Sequence, residues 1–199
     1  MKSTKQIKQE PAEPLKFRLD RNPDIMSNRG AEAYEMFLPI NIKALKGETV
    51  LEIGPGLGKF QKEAAKLGIN VIAIEPLDPT RAEPGWKVEG MNWVTGIHEA
   101  LPIAGNSVGA ALSLYSSVFY AFNTYYPNQD DIKKAVRLMI KETYRVLKPG
   151  GEAYIGAFNE KEEEVVHSLL GDVVRKSEGM RFLSAKNTFN KTCFILRKS

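Results

Sequence analysis

The chain predicts an α/β fold built on one mostly parallel sheet, and three observations carry that expectation. Short apolar runs near residues 49–53, 71–75, 92–95, 108–114, 151–157, 180–186 and 191–197 read as seven strands. Stretches with helical spacing lie between several of them, the alternation expected of parallel crossovers. The first run, Thr49-Val50-Leu51-Glu52-Ile53, ends in an acid and then a glycine-dense turn, Gly54-Pro55-Gly56-Leu57-Gly58, which opens a helix. With 199 residues and 43% hydrophobic content, the chain can bury one sizeable core.

Taken in order, the first two dozen residues carry Lys2, Lys5, Lys8, Glu10, Pro11, Glu13 and Pro14 and too little apolar surface to fold alone. Residues 1–24 are therefore expected to be a flexible polar tail, and 25–199 a single domain with an amino-terminal helical cover. From Ser27 or Asn28 a helix places Ala31, Tyr34, Phe37 and Leu38 on one face until Pro39 interrupts it. After the glycines, Phe60, Ala64 and Leu67 recur at helical spacing up to Gly68. Ile69 to Ile74 is a buried-type strand closed by Glu75-Pro76. Pro79, Pro84 and Gly85 leave room only for a shortened crossover between Leu77 and Met91. A long helix stops at Arg145-Val146-Leu147-Lys148-Pro149-Gly150-Gly151, because Lys148 precedes a proline and Gly-Gly cannot continue a helix. Right-handed crossovers order five parallel strands 3-2-1-4-5, and a turn near Asn187 to Asn190 makes the last two an antiparallel hairpin.

The glycine turn is a ligand cradle, since glycines allow close backbone approach and the helix start presents free N–H groups and a positive dipole end. Spacing separates the known glycine loops. A dinucleotide fingerprint would need a small residue where Lys59 stands. A Walker loop needs four residues between its first glycine and the Gly-Lys pair, but Gly54 and Gly58 enclose three, and Phe60 stands where Ser or Thr should meet Mg²⁺.

What remains, Glu52-Ile53-Gly54-Pro55-Gly56-Leu57-Gly58, resembles the acidic-x-G-x-G-x-G motif of class I S-adenosylmethionine-dependent methyltransferases. Glu75, at a strand end about 20 residues further on, matches their second signature, a carboxylate that can accept two hydrogen bonds from a ribose diol. Glu99 to Val108, with Leu101-Pro102, resembles the segment leading into the fourth strand of small-molecule-type members, and Arg145 to Gly151 resembles their link into the fifth. The resemblance runs from about Met36 to Lys198. It implies a three-layer Rossmann-like sandwich with strand order 3-2-1-4-5-7-6 and S-adenosylmethionine as cofactor. The cofactor would be held by Glu52, Gly54, Pro55, Gly56, Gly58, Glu75, Pro76, Leu77, Ile97, His98, Ser113 and Leu114.

There are departures from the pattern. Ile97-His98 stands where the family usually has an acid for the adenine amino group, so adenine would rest on backbone and apolar contacts. Gly109 replaces the Asp that commonly starts the fourth strand. A methyltransferase-like binding or scaffold protein without catalysis is thus the alternative to an enzyme. An aminopropyltransferase is disfavoured because Ser113 to Tyr126 contains no acid.

The acceptor side is aromatic. Tyr115, Phe119, Tyr120, Phe122, Tyr125 and Tyr126 follow the fourth strand, just outside the carboxyl ends of the strands, where such sheets bind ligands. A small, partly apolar or aromatic acceptor would suit them. Because the sulfonium methyl is already activated, holding the reactants in line is the main task. If the acceptor is a hydroxyl, His98 is the candidate base at the site mouth, with Tyr115 or Tyr120 orienting the acceptor. Arg29 and Tyr34 could reach the methionine end of the cofactor or the acceptor. The net charge of +4 does not by itself indicate nucleic acid, and the fourth strand lacks the Asn/Asp-Pro-Pro-aromatic motif of enzymes that methylate exocyclic amines. Two histidines and one cysteine offer no metal-ligand spacing, and Cys193 reads as a packed thiol. No apolar run approaches 18 residues and the amino terminus has no signal core, so a cytoplasmic protein is expected.

Overall fold

The computed structural model describes residues 29–76, 92–122, 126, 128–158, 160–187 and 189–199. The expected tail at 1–24, the helix start at Ser27 or Asn28, and the shortened crossover with Leu77 lie outside the described residues.

Seven strands form one sheet: β1 (Thr49–Ile53), β2 (Asn70–Glu75), β3 (Asn92–Thr95), β4 (Val108–Leu114), β5 (Leu147–Phe158), β6 (Met180–Lys186) and β7 (Thr192–Lys198). Their order is β3-β2-β1-β4-β5-β7-β6, with β1 to β5 parallel and β7 antiparallel to both its neighbours. This is the expected topology, terminal hairpin included. The largest displacement of a boundary is at β5, which begins at Leu147 rather than near 151, because the residues before Pro149 are already extended and Leu147 pairs with Val108.

Both faces of the sheet are covered, which is why its central strands are apolar on both sides. Leu51 and Ile53 of β1 join a core made with α4 (Gln129–Val146) and α5 (Glu160–Arg175). Val50 packs on the other face with Tyr34, Leu38, Phe60 and Ala64, contributed by α1 (Ala31–Phe37), its C-cap and α2 (Lys59–Lys66). Alternation along β1 therefore turns Glu52 toward α1 and α2. Helix α1 is only seven residues long and has no side-chain N-cap of its own. Glu63 of α2 supplies one, accepting the Ala31 N–H at 2.7 Å.

Two segments far apart in sequence are tied at the start of β4. The Arg145 guanidinium donates to the carbonyls of Leu101 and Ile103, both at 2.9 Å, while Glu142 accepts the Leu101 N–H at 3.0 Å. At the amino-terminal end of the sheet Lys148 pairs with Glu48 at 2.6 Å. The Glu48 carboxylate fills the space that a Cβ on Gly109 would occupy. A side chain at position 109 would have to displace that carboxylate.

Candidate cofactor and active site

The carboxyl ends of β1, β2 and β4 converge on the glycine turn. Gly54, Gly56 and Gly58 have φ of +71°, +57° and +71°, and Gly58 is the N-cap of α2. A side chain would be strained at each position. Gly54 is also closed off sterically, because Ser116 beyond β4 lies against its Cα. Pro55 between them is buried.

Glu52 sits beneath this turn with 0% exposure. The Tyr34 hydroxyl donates to its Oε1 at 2.6 Å, and Oε2 has no hydrogen-bond partner. Burial pushes the Glu52 carboxyl up to about 7, against the opposing pull of the Tyr34 bond, the Arg29 guanidinium and the nearby Gln61 amide. Burial, then the Glu52 charge, raises the Tyr34 phenol well above its ordinary range, so it remains the donor. Arg29 donates from Nη2 to the Gly54 carbonyl at 2.6 Å, and its charge is felt by both Glu52 and Glu75. Glu75 ends β2, half-buried beside Pro76, and desolvation pushes it up to about 7.

On the β4 side, Ser113 is buried with its Oγ 2.8 Å from that of Ser116. The Leu114 side chain is fully buried in the core, and the residue pairs with Gly156 of β5. Tyr115 follows with φ +47° and meets Phe37 of α1 edge-on at 5.5 Å. Phe189, in the β6–β7 turn and 54% exposed, stacks on Phe37 at 5.1 Å. Asn187 fixes that turn by accepting the N–H groups of Phe189 and Lys191, both at 2.9 Å, and by donating to the Phe37 carbonyl at 3.2 Å. Nothing in the sequence marks Phe189 or Asn187 beyond turn chemistry.

His98 is not at the site mouth. It is 2% exposed, with Nδ1 2.5 Å from Ser117 Oγ and Nε2 2.6 Å from Thr143 Oγ1. Thr143 spends its own proton on the Met139 carbonyl at 2.8 Å, so it accepts from Nε2–H, and Nδ1 accepts from Ser117. Both nitrogens are committed, and burial lowers the imidazole pKa to about 3. The expectation of a base at the site mouth is corrected accordingly. Ile97 forms an isolated antiparallel bridge with Ala100. Tyr120 has its backbone in α3 (Ser117–Tyr120). Its side chain, like Tyr125, lies outside what is described. Among the described residues no group of His, Cys, Asp and Glu could hold a metal ion.

A family model described as a methyltransferase domain matches residues 51–155, more than half of the chain. The chain belongs to that methyltransferase family. The methyltransferase is 34% identical over 110 residues to the biotin biosynthesis bifunctional protein BioHC of Cellvibrio japonicus, covering 53% of this chain and 19% of that protein. It is 29% identical over 161 residues to an uncharacterized methyltransferase of Mycobacterium sp. (strain JLS), covering 75% of this chain and 57% of that protein. The chain thus spans less than two thirds of either relative. Among solved structures, a SAM-dependent methyltransferase from Aquifex aeolicus superposes with a TM-score of 0.54 at 18% identity over 87% of this chain and 95% of that one. A TehB-like SAM-dependent methyltransferase from Corynebacterium glutamicum does so with 0.51 at 17% identity over 79% and 87%. These two likenesses concern the fold.

The methyltransferase's fold is the one shared by S-adenosylmethionine-dependent methyltransferases. Its residues fit that cofactor: an unpartnered buried carboxylate oxygen on Glu52, a turn of three left-handed glycines with no room for a Cβ at Gly54, and a desolvated carboxylate at Glu75. When bound, S-adenosylmethionine supplies a methyl group already activated on a sulfonium.

Proposed function

We propose that the methyltransferase acts on a small, partly apolar or aromatic acceptor seated between α1 and the segment after β4. In this reading Glu75 takes the ribose hydroxyls, Glu52 the amino group of the methionine portion, and the Gly54 to Gly58 backbone the rest of that portion. Pro76, Ile97, Ser113 and Leu114 enclose the remainder. The observation that carries the acceptor class is the row of rings Tyr115, Phe37 and Phe189, beginning beside Ser116, which itself lies against the cofactor turn. A flat apolar molecule gains stacking and burial there.

With His98 committed elsewhere, catalysis rests on placement and exclusion of water rather than on a dedicated histidine base. A nucleic-acid acceptor has no support in the modest charge. We also infer a cytoplasmic location, supported by a lone buried cysteine, and no helix among the described residues is long and apolar enough to cross a membrane.

The test is transfer from methyl-labelled S-adenosylmethionine to size-fractionated lysate metabolites. Label should enter small aromatic or apolar molecules. Tight cofactor binding without transfer to any fraction would support the scaffold alternative, and label only in macromolecules would sink the small-acceptor reading.

A further inference from the structure

We infer that Tyr34 is a positioning residue for the cofactor: its hydroxyl fixes one oxygen of Glu52, so that the other is presented to the ammonium group of the methionine portion. The inference rests on the reading of Glu52 given above and assigns to α1 a part in cofactor recognition.

The geometry is specific. Tyr34 and Glu52 lie 18 positions apart on different elements, are both fully buried, and meet at 2.6 Å. The Tyr34 ring is wedged against Phe60 of α2, centroids 4.6 Å apart, so its hydroxyl has little freedom to leave. A buried carboxylate oxygen without a partner is costly, and Oε2 is such an atom. The pair is thus half of a binding site. One oxygen is satisfied internally and the other is completed by a cationic donor from outside.

A tyrosine bond also favours the charged carboxylate that an ammonium needs. Among the described residues the groups acting on Glu52 are Tyr34 on α1, Arg29 just before it, and the neutral Gln61 on α2. Glu75 on β2 shares Arg29 with it. Glu52 in the unliganded protein is raised to about 7, so cofactor affinity should fall as pH drops through that region. Removing the Tyr34 hydroxyl raises Glu52 further, and the fall should begin at higher pH.

The experiment titrates S-adenosylhomocysteine by calorimetry into wild type, Y34F, E52Q and Y34F/E52Q from about pH 6 to pH 9, the range bracketing a carboxylate raised to neutrality. Expected are a roughly tenfold loss of affinity near neutral pH in Y34F and an upward displacement of its pH profile. In E52Q the profile should be shallower, with Glu75 alone remaining, and Y34F should add no further loss in that background. A Y34F profile that superimposes on wild type, while E52Q changes it, would overturn the role of Tyr34. Full affinity and an unchanged profile in E52Q would instead overturn the reading of Glu52.

Should Y34F fail to fold, wild-type protein labelled with ¹³C at the tyrosine Cζ supplies the answer. One resonance should titrate near neutrality and cease to do so with S-adenosylhomocysteine bound. Seven tyrosine signals indifferent to both would refute the inference.

Discussion

Ser116 occupies the space above Gly54, its Cβ 2.5 Å from where a Cβ on that glycine would sit. The end of β4 is thereby pressed onto the cofactor turn, and Tyr115 is set one residue from it. Gly54→Ala meets two obstacles, a φ of +71° and this contact. The conformational part alone costs about 1–2 kcal/mol, which in a chain of this size is a melting temperature lower by roughly 2–8 °C. Adding Ser116→Gly should relieve the clash and leave that conformational share. Thermal unfolding of the single and double variants checks this.

Glu75→Ala should weaken binding of both S-adenosylmethionine and S-adenosylhomocysteine by about 1.5–3 kcal/mol, the size of hydrogen bonds to a charged group. Titration calorimetry decides it. Unchanged affinity for both would remove Glu75 from the cofactor site.

His98 links stability to pH in the acid range. Its folded pKa is depressed from 6.5 to about 3, so between those values the unfolded chain takes up a proton that the native one refuses. The stability it contributes is present above pH 6.5 and is lost as pH falls toward 3. Glu52 and Glu75 act in the opposite sense, because their folded values are raised from 4.5 to about 7. Their contribution falls as pH rises through that window. His98→Gln should destabilise most above pH 6.5, with the difference from wild type shrinking by up to about 1.4 kcal/mol per pH unit below it. Urea unfolding across the range provides the measurement.

Phe189 is exposed enough that Phe189→Ala should leave the melting temperature nearly unchanged. Once an acceptor is known, the variant should raise its KM several-fold while cofactor affinity stays the same, the signature of lost acceptor binding. A change in cofactor affinity instead would place the ring elsewhere in the mechanism.

The glycine turn, the places of Glu52 and Glu75 on their strands and the strand order were legible because each depends on residues close in sequence or on a single periodicity. The partners of these groups were not. Tyr34 reads as an apolar-face residue that could reach the cofactor or the acceptor, but nothing local marks its bond to Glu52 of β1. The place of His98 depends on Thr143, 45 positions away, and that of Phe189 on the hairpin folding back over Phe37. Helix α1 reads from sequence as a helical cover. Since Tyr34 and Leu38 are core residues, deletion through Leu38 would strip core packing along with the cover, and point variants are the cleaner probe.

The Glu48–Lys148 pair over Gly109 lies at the opposite end of the strands from the glycine turn. Five residues of β1 separate the two ends, on the order of 15 Å at strand spacing, beyond the distance at which substitutions usually couple. Robustness and chemistry are therefore written into opposite rims of the same sheet. The amino-terminal rim can accept new charges, tags or compensating mutations as the chain diverges, while the other rim answers to its ligands alone.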